Sequence, residues 1–314
     1  MLCSDLIILT CEYLKDSNYY LLNKALYESI IMVEKGAYWK KKYNNFFKNM
    51  DKEYLILNGD YNWKREYMRV IKFDYWQMIM DNITKLDLSC KKINNIPKEI
   101  GNLINLNELN LSGNRIKEIP KEIGNLINLE VLSFFKNRIK EIPKEIGNLI
   151  GLEELNFGSN QIKEIPREIG NLIGLKGLEL AENNIKEIPK EIGNLIDLRE
   201  LNLSYNRIIR IPIELINLKY LNLSNNQIKK IPMELGNLIN LIQLNLSNNQ
   251  IIMIPTELGN LIDLKYLYLS NNQIEHIPKE LGKIDLERLN LSNNHIEQIP
   301  KELDNLIKLK KLGL

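Results

Sequence analysis

The sequence runs to 314 residues, with 44% apolar and 26% charged side chains and a formal net charge of +2. That is enough chain to bury a large core and too little charge imbalance for a polybasic arm or an acidic disordered tail. Three cysteines, Cys3, Cys11 and Cys90, make no CxxC pair and no even framework, which excludes a disulfide scaffold and points to a reducing compartment.

The first 82 residues form a separate segment in composition. They hold all three tryptophans and ten of the fourteen tyrosines, and no proline. Leu2, Leu6, Leu9 and Tyr13 fall on one face of a predicted helix, and a second helix is predicted from about Asn18 to Val33. Trp39, Tyr43, Phe46, Phe47 and Met50 fit a third, and Trp63, Tyr67, Val70, Ile71 and Met78 a fourth, with Asp60 or Asn62 as its cap. Trp63, Lys64 and Tyr67 repeat the spacing of Trp39, Lys40 and Tyr43. A small all-α domain over residues 1–82 is therefore expected, with its tryptophans anchoring a core and its body covering the open end of the segment after residue 82. The segment LIILTC is preceded by Asp5 and by no basic residue, unlike a secretory leader. No apolar run reaches the roughly 20 residues of a membrane span. An intracellular, cytoplasmic location is expected.

From residue 83 the chain repeats itself. Units begin at Ile83, Leu106, Leu129, Leu152, Leu175, Leu198, Leu218, Leu241, Leu264, Leu286 and Leu309, in steps of 23 residues except 20 after Leu198 and 22 after Leu264. The residues after residue 82 therefore make ten units and a partial eleventh over 83–314. A typical unit reads LNELNLSGNRIKEIPKEIGNLIN, and all ten prolines share one place in it. Alternation in ELNLS predicts a short half-buried strand, with Leu109 and Leu111 inward. Pro120 starts a helical return turn, KEIGNL, which the Gly124-Asn125 pair is expected to end through a left-handed residue. One unit cannot bury its own apolar face, so the units must stack.

The ninth place of each unit is asparagine from Asn114 through Asn294, and Lys91 replaces it in the first. Its amide is expected to satisfy backbone groups at the bend after the strand. Between Pro212 and Leu218 about three residues of the return turn are missing, which predicts a seam at residues 213–217. Five Asn-Leu-Ser triplets recur because the strand recurs, and are expected to stay unmodified.

Function in such an array falls to outward strand positions, the third, fifth, seventh and eighth places. Tyr205, Tyr220, Tyr266 and Tyr268, the only tyrosines of the array, gather there as candidate partner-binding residues. Val131 and Phe135 in VLSFFKN are expected to point outward as further candidate partner-binding residues, and Phe134 inward. Glu108, Glu130, Glu153, Glu154, Glu179, Glu182 and Glu200 make the early face acidic, while Lys176, Arg199, Lys219 and Lys265 line the later edge.

No P-loop, strand-linked GxGxxG, HExxH or GxSxG is present, and His276 and His295 fall at different places of neighbouring units. Neither catalysis nor a cofactor nor a metal is expected. Residues 1–82 carry 12 basic and 11 acidic side chains, so nucleic acid is not an expected partner either.

The L-x-x-L-x-L-x-x-N-x-I-x-x-I-P pattern resembles that of leucine-rich repeats. The resemblance implies an α/β solenoid, curved, with parallel strands lining a concave face that binds protein. The run from LCSDLIILTCEYL through YYLLNKALYESI to YWKKKYNNFF and NWKREY resembles an F-box, although the usual Leu-Pro near the start is Leu2-Cys3 here. That likeness implies adaptor binding by Leu6, Leu9, Leu14 and Trp39 to a Skp-type protein, and with it a substrate receptor for a cullin-type ubiquitin ligase. The order of the two parts is similar to repeat proteins of large DNA viruses of amoebae. The IPxEIGNL unit is also similar to intracellular repeat proteins that bind small GTPases, which implies instead a signalling scaffold with residues 1–82 as a cap only.

Overall fold

A computed structural model of the chain describes residues 83–306 and 311–313. The predicted helices of residues 1–82, and with them Leu6, Leu9, Leu14 and Trp39, lie outside the described residues. From Thr84 onward the chain is one compact unit.

Each repeat supplies one three-residue strand: β1 (Lys85–Asp87), β2 (Glu108–Asn110), β3 (Val131–Ser133), β4 (Glu154–Asn156), β5 (Gly177–Glu179), β6 (Glu200–Asn202), β7 (Tyr220–Asn222), β8 (Gln243–Asn245), β9 (Tyr266–Tyr268), β10 (Arg288–Asn290) and β11 (Lys311–Gly313). They pair in sequence order into one open parallel sheet. Every pairing sets leucine beside leucine, from Leu86↔Leu109 to Leu289↔Leu312. The strands are short because the chain turns away within two residues of the sixth-place leucine, at the left-handed eighth place.

The return limb is a five-residue 3-10 turn in nearly every unit, as at Lys121–Asn125, entered through the extended backbone of Pro120. Ile123 and Leu126 of that limb and Leu106, Leu109, Leu111 and Ile116 of the strand limb are all at most 1% exposed. The core thus lies between strands and return turns and runs unbroken from unit to unit. In two adjacent units the sixth-place leucine becomes Phe134 and Phe157, whose rings stack with centroids 5.2 Å apart. Phe134 is fully buried, as its place in the alternation requires.

The return turn does not end as the sequence suggests. Leu126, the residue that closes it, has φ −81° and ψ 57°, and Gly124 does not sit in the left-handed region. The glycine is needed for contact instead: a Cβ on Gly124 would lie 2.5 Å from the Glu145 carbonyl oxygen of the next unit. Left-handed backbone occurs at the other bend, in the eighth place after each strand, where Gly113, Lys136, Ser159, Glu182, Tyr205, Asn225, Asn248, Asn271 and Asn293 all have φ between 54° and 68°.

At the seam the stacking continues. β6 and β7 remain in register, Leu201 beside Leu221, and the Glu214 carbonyl still meets Gly193 as Glu145 meets Gly124. Leu215 takes the buried place of the turn. Only the Gly-Asn-Leu step of the usual turn is missing, so the shortening is absorbed entirely on the return side.

Candidate functional site

The ninth-place asparagines show which polar groups the fold itself consumes. Asn160 accepts the Ile139 N–H on Oδ1 at 2.9 Å, while its Nδ2 donates to the carbonyls of Phe134 and Phe157 at 2.9 and 3.0 Å. The amide therefore ties its own unit to the preceding one, and the pattern recurs from Asn114 to Asn294. These residues are committed to structure, as expected for buried amides that must be satisfied.

Part of the strand face is committed in the same way, which the sequence did not suggest. Fifth-place asparagines such as Asn202 accept the backbone N–H and the hydroxyl of the seventh-place serine, here Ser204, at 3.1 and 2.9 Å. Ser204, Ser224, Ser247 and Ser270 are buried. Among the described seventh-place residues Phe135 alone is exposed, at 42%.

What remains outside that network is mainly the third place and a few exceptions, with Lys85 and Glu108 of that row paired to each other. Reading across the sheet, the third-place row runs Lys85, Glu108, Val131, Glu154, Gly177, Glu200, Tyr220, Gln243, Tyr266 and Arg288. Val131 and Tyr220 are exposed, and Tyr266 and Tyr268 half-buried. Tyr220 and Tyr266 stand two strands apart, about 10 Å, with Gln243 between them. Tyr268 is on the same strand as Tyr266, in the fifth-place row. Tyr205 lies off the strand, 59% exposed, on the left-handed bend after β6. The structure therefore sets Tyr220, Tyr266 and Tyr268 on one face and leaves Tyr205 at its edge.

Between Val131 and Tyr220 the face opens into a trough of about 560 Å³ over β3 to β8. Its floor is Gly177, and the Glu154 carboxylate lies across the space a side chain there would fill. Glu200 flanks Gly177 on the other side. Glu179 accepts from the Ala181 N–H and from Asn202 Nδ2, both at 2.8 Å. Burial, and after it the neighbouring Glu200 and Glu153, push the Glu154 carboxyl above its ordinary value. Burial likewise raises Glu179 against the lowering effect of its two hydrogen bonds. Lys176, one position before the trough, is engaged by Glu153 at 2.7 Å, which raises its ammonium. The acidic half of the face thus keeps a local excess of negative charge beside the tyrosine-bearing half. Phe135 lies over Gly158 of the next unit, so its ring spans two units.

Among the described residues no group of three His, Cys, Asp or Glu side chains is arranged to hold a metal, and no helix is long and apolar enough to cross a membrane.

A model of a leucine-rich repeat region matches residues 82–164 and 213–314, and a leucine-rich repeat model matches residues 150–208. No curated protein matches the sequence. Among solved structures, the ectodomain of the receptor kinase GASSHO1/SCHENGEN3 from Arabidopsis thaliana, in complex with CASPARIAN STRIP INTEGRITY FACTOR 2, is 36% identical. The match covers 73% of this chain and 29% of that one, with a TM-score of 0.69. The plant peptide hormone receptor RGFR1 in complex with RGF2 is 34% identical over 76% of this chain and 41% of that one, with a TM-score of 0.70. An internalin, InlF, from Listeria monocytogenes is 32% identical over 76% of this chain and 75% of that one, with a TM-score of 0.59. The match thus spans less than half the length of either plant receptor chain.

Proposed function

We propose, on the premise that this chain belongs to the leucine-rich repeat proteins, that it is a non-enzymatic binding protein whose strand face holds a segment of another protein. Its support is the division of that face. The fold consumes the inward leucines, the ninth-place asparagines and most fifth- and seventh-place groups, yet leaves Val131, Tyr220, Tyr266 and Tyr268 beside the trough of Glu154, Glu179 and Glu200. Aromatic side chains with no structural task, next to a zone of one charge, suit a partner that brings a basic stretch and an apolar one in succession. Two similar receptors were solved with a ligand bound, which agrees with a binding role. The test is to identify partners by proximity labelling in the native cell and then measure binding of the best one. Replacing Tyr220, Tyr266 and Tyr268 by Ala is expected to weaken it at least tenfold, and Glu154 and Glu200 by Lys to slow its association; unchanged affinity in both variants would move the site elsewhere.

The F-box-like residues 1–82 give this binding protein its more specific task, that of substrate receptor for a cullin-type ubiquitin ligase inside the cytoplasm. Leu6, Leu9, Leu14 and Trp39 would then meet a Skp-type adaptor, while the repeats hold the substrate. The full chain should draw such an adaptor from a eukaryotic lysate, and Trp39→Ala should lose it. If no adaptor or cullin is recovered, the ligase role fails and the signalling scaffold, with residues 1–82 as a cap, takes its place.

A further inference from the structure

The return limb carries an apolar feature that neither the core nor the strand face uses. The twenty-second place of the unit, two residues before the leucine that opens the next, is isoleucine in each of the first seven full-length units, from Ile104 to Ile262, and Ile216 holds the equivalent place at the seam. All eight are exposed, from 39% at Ile216 to 67% at Ile262. The ninth unit, one residue short, omits the position. Because successive units stack in register, these side chains form one stripe, its neighbours tied by bonds such as Asn128 Nδ2 to the Ile104 carbonyl and Asn217 Nδ2 to the Ile196 carbonyl.

Summed over the eight, the exposed isoleucine surface is about 700–800 Å², above the roughly 300–600 Å² of the largest apolar patch on an ordinary monomer and close to the roughly 800 Å² that each partner contributes to a stable complex. In four units the residues around the isoleucine carry no charge, 102–105, 125–128, 148–151 and 171–174 reading NLIN, NLIN, NLIG and NLIG, whereas Asp197 and Asp263 follow Ile196 and Ile262. A second observation points the same way. Gly151 and Gly174, beside the exposed Ile150 and Ile173, have room for a side chain, with the nearest atoms 3.6 and 3.7 Å from a Cβ. The fold requires Gly124 but not these two, so they leave the middle of the stripe bare to an approaching surface.

We infer that this stripe is the contact between two copies of the chain. Identical side chains repeated once per unit are matched in step only by an object with the same period, and a second copy has that period. Two stripes laid side by side about a two-fold axis bring each onto the same surface of its partner, the arrangement of a closed dimer. The contact leaves the strand face of both copies open and does not depend on what that face binds.

Sedimentation of the full chain at about ten micromolar is expected to give twice the chain mass. Replacing Ile127, Ile150, Ile173 and Ile196 together by Lys is expected to give monomer, weakening association at least about a hundredfold, with the unfolding midpoint kept. Gly151→Arg with Gly174→Arg is a second route to the same end, since the folded monomer accommodates both. A wild-type chain that stays monomeric overturns the inference. So does a dimer that both variants leave intact, and if the lysine variant fails to fold the arginine pair decides.

Discussion

Removing one buried asparagine amide tests how the units are held together. In Asn160→Ala the Ile139 N–H loses its acceptor at 2.9 Å, and the carbonyls of Phe134 and Phe157 lose donors at 2.9 and 3.0 Å while keeping Asn137 and Asn183 at 3.0 Å each. Asn160 is only 9% exposed, so water cannot easily take its place. The stranded Ile139 N–H costs roughly 1–3 kcal/mol, and the two carbonyls, each left with one donor, add about 1 kcal/mol between them, for a loss of roughly 2–4 kcal/mol. Asn294 makes the equivalent bonds to Ile274, Leu269 and Leu291 but is half-buried. There water can substitute, and Asn294→Ala should lose only about 1 kcal/mol. Urea titration followed by circular dichroism measures both losses, and amide exchange at Ile139 reports the site directly. Equal losses in the two variants, or an unchanged Ile139 exchange rate, would refute the claim that these amides join unit to unit.

The same geometry sets three further outcomes. Gly124→Ala sets a Cβ 2.5 Å from the Glu145 carbonyl and should cost about 2–3 kcal/mol in the same titration, whereas Gly151→Ala, with its nearest atom at 3.6 Å, should change stability by less than about 0.5 kcal/mol. Tyr205 holds φ 54°, and Tyr205→Asn should stabilise the array by about 0.5–1 kcal/mol, read as a higher melting temperature. The carboxyls of Glu154 and Glu179 titrate above their ordinary values in the folded chain. Their contribution is therefore fully present below the unfolded glutamate value and is lost as pH rises through the folded values. Melting temperatures across the weakly acidic range should fall less steeply with rising pH in Glu154→Gln than in the parent, and identical slopes would contradict that assignment.

The repeat was legible because its signals are redundant: a leucine alternation, a proline and an asparagine in each unit all name the same places. The inward Phe134 and the structural asparagines came from that register. Gly124 misled because glycine after a short turn commonly means a left-handed residue, while here it answers to a backbone in the next unit, a contact no local pattern reveals. The left-handed eighth place left a trace in Gly113, Asn225, Asn248, Asn271 and Asn293, but Lys136, Glu182 and Tyr205 obscured it. Alternation also made the fifth and seventh places look equally open. Only the bend geometry shows that Asn202 and Ser204 satisfy each other. The trough depends on Gly177 lying between Glu154 and Glu200 across three strands, a neighbourhood 23 residues apart in each direction.

The one-to-one leucine register has an evolutionary corollary. Because each unit touches only the units beside it, unequal recombination can add or delete a whole unit and leave two intact junctions, and even the Gly-Asn-Leu loss before Leu218 left Leu201 facing Leu221. Array length is therefore a nearly neutral variable for folding. A lineage could lengthen or trim the surface it offers by about 4.8 Å per event while every surviving junction stays as it was.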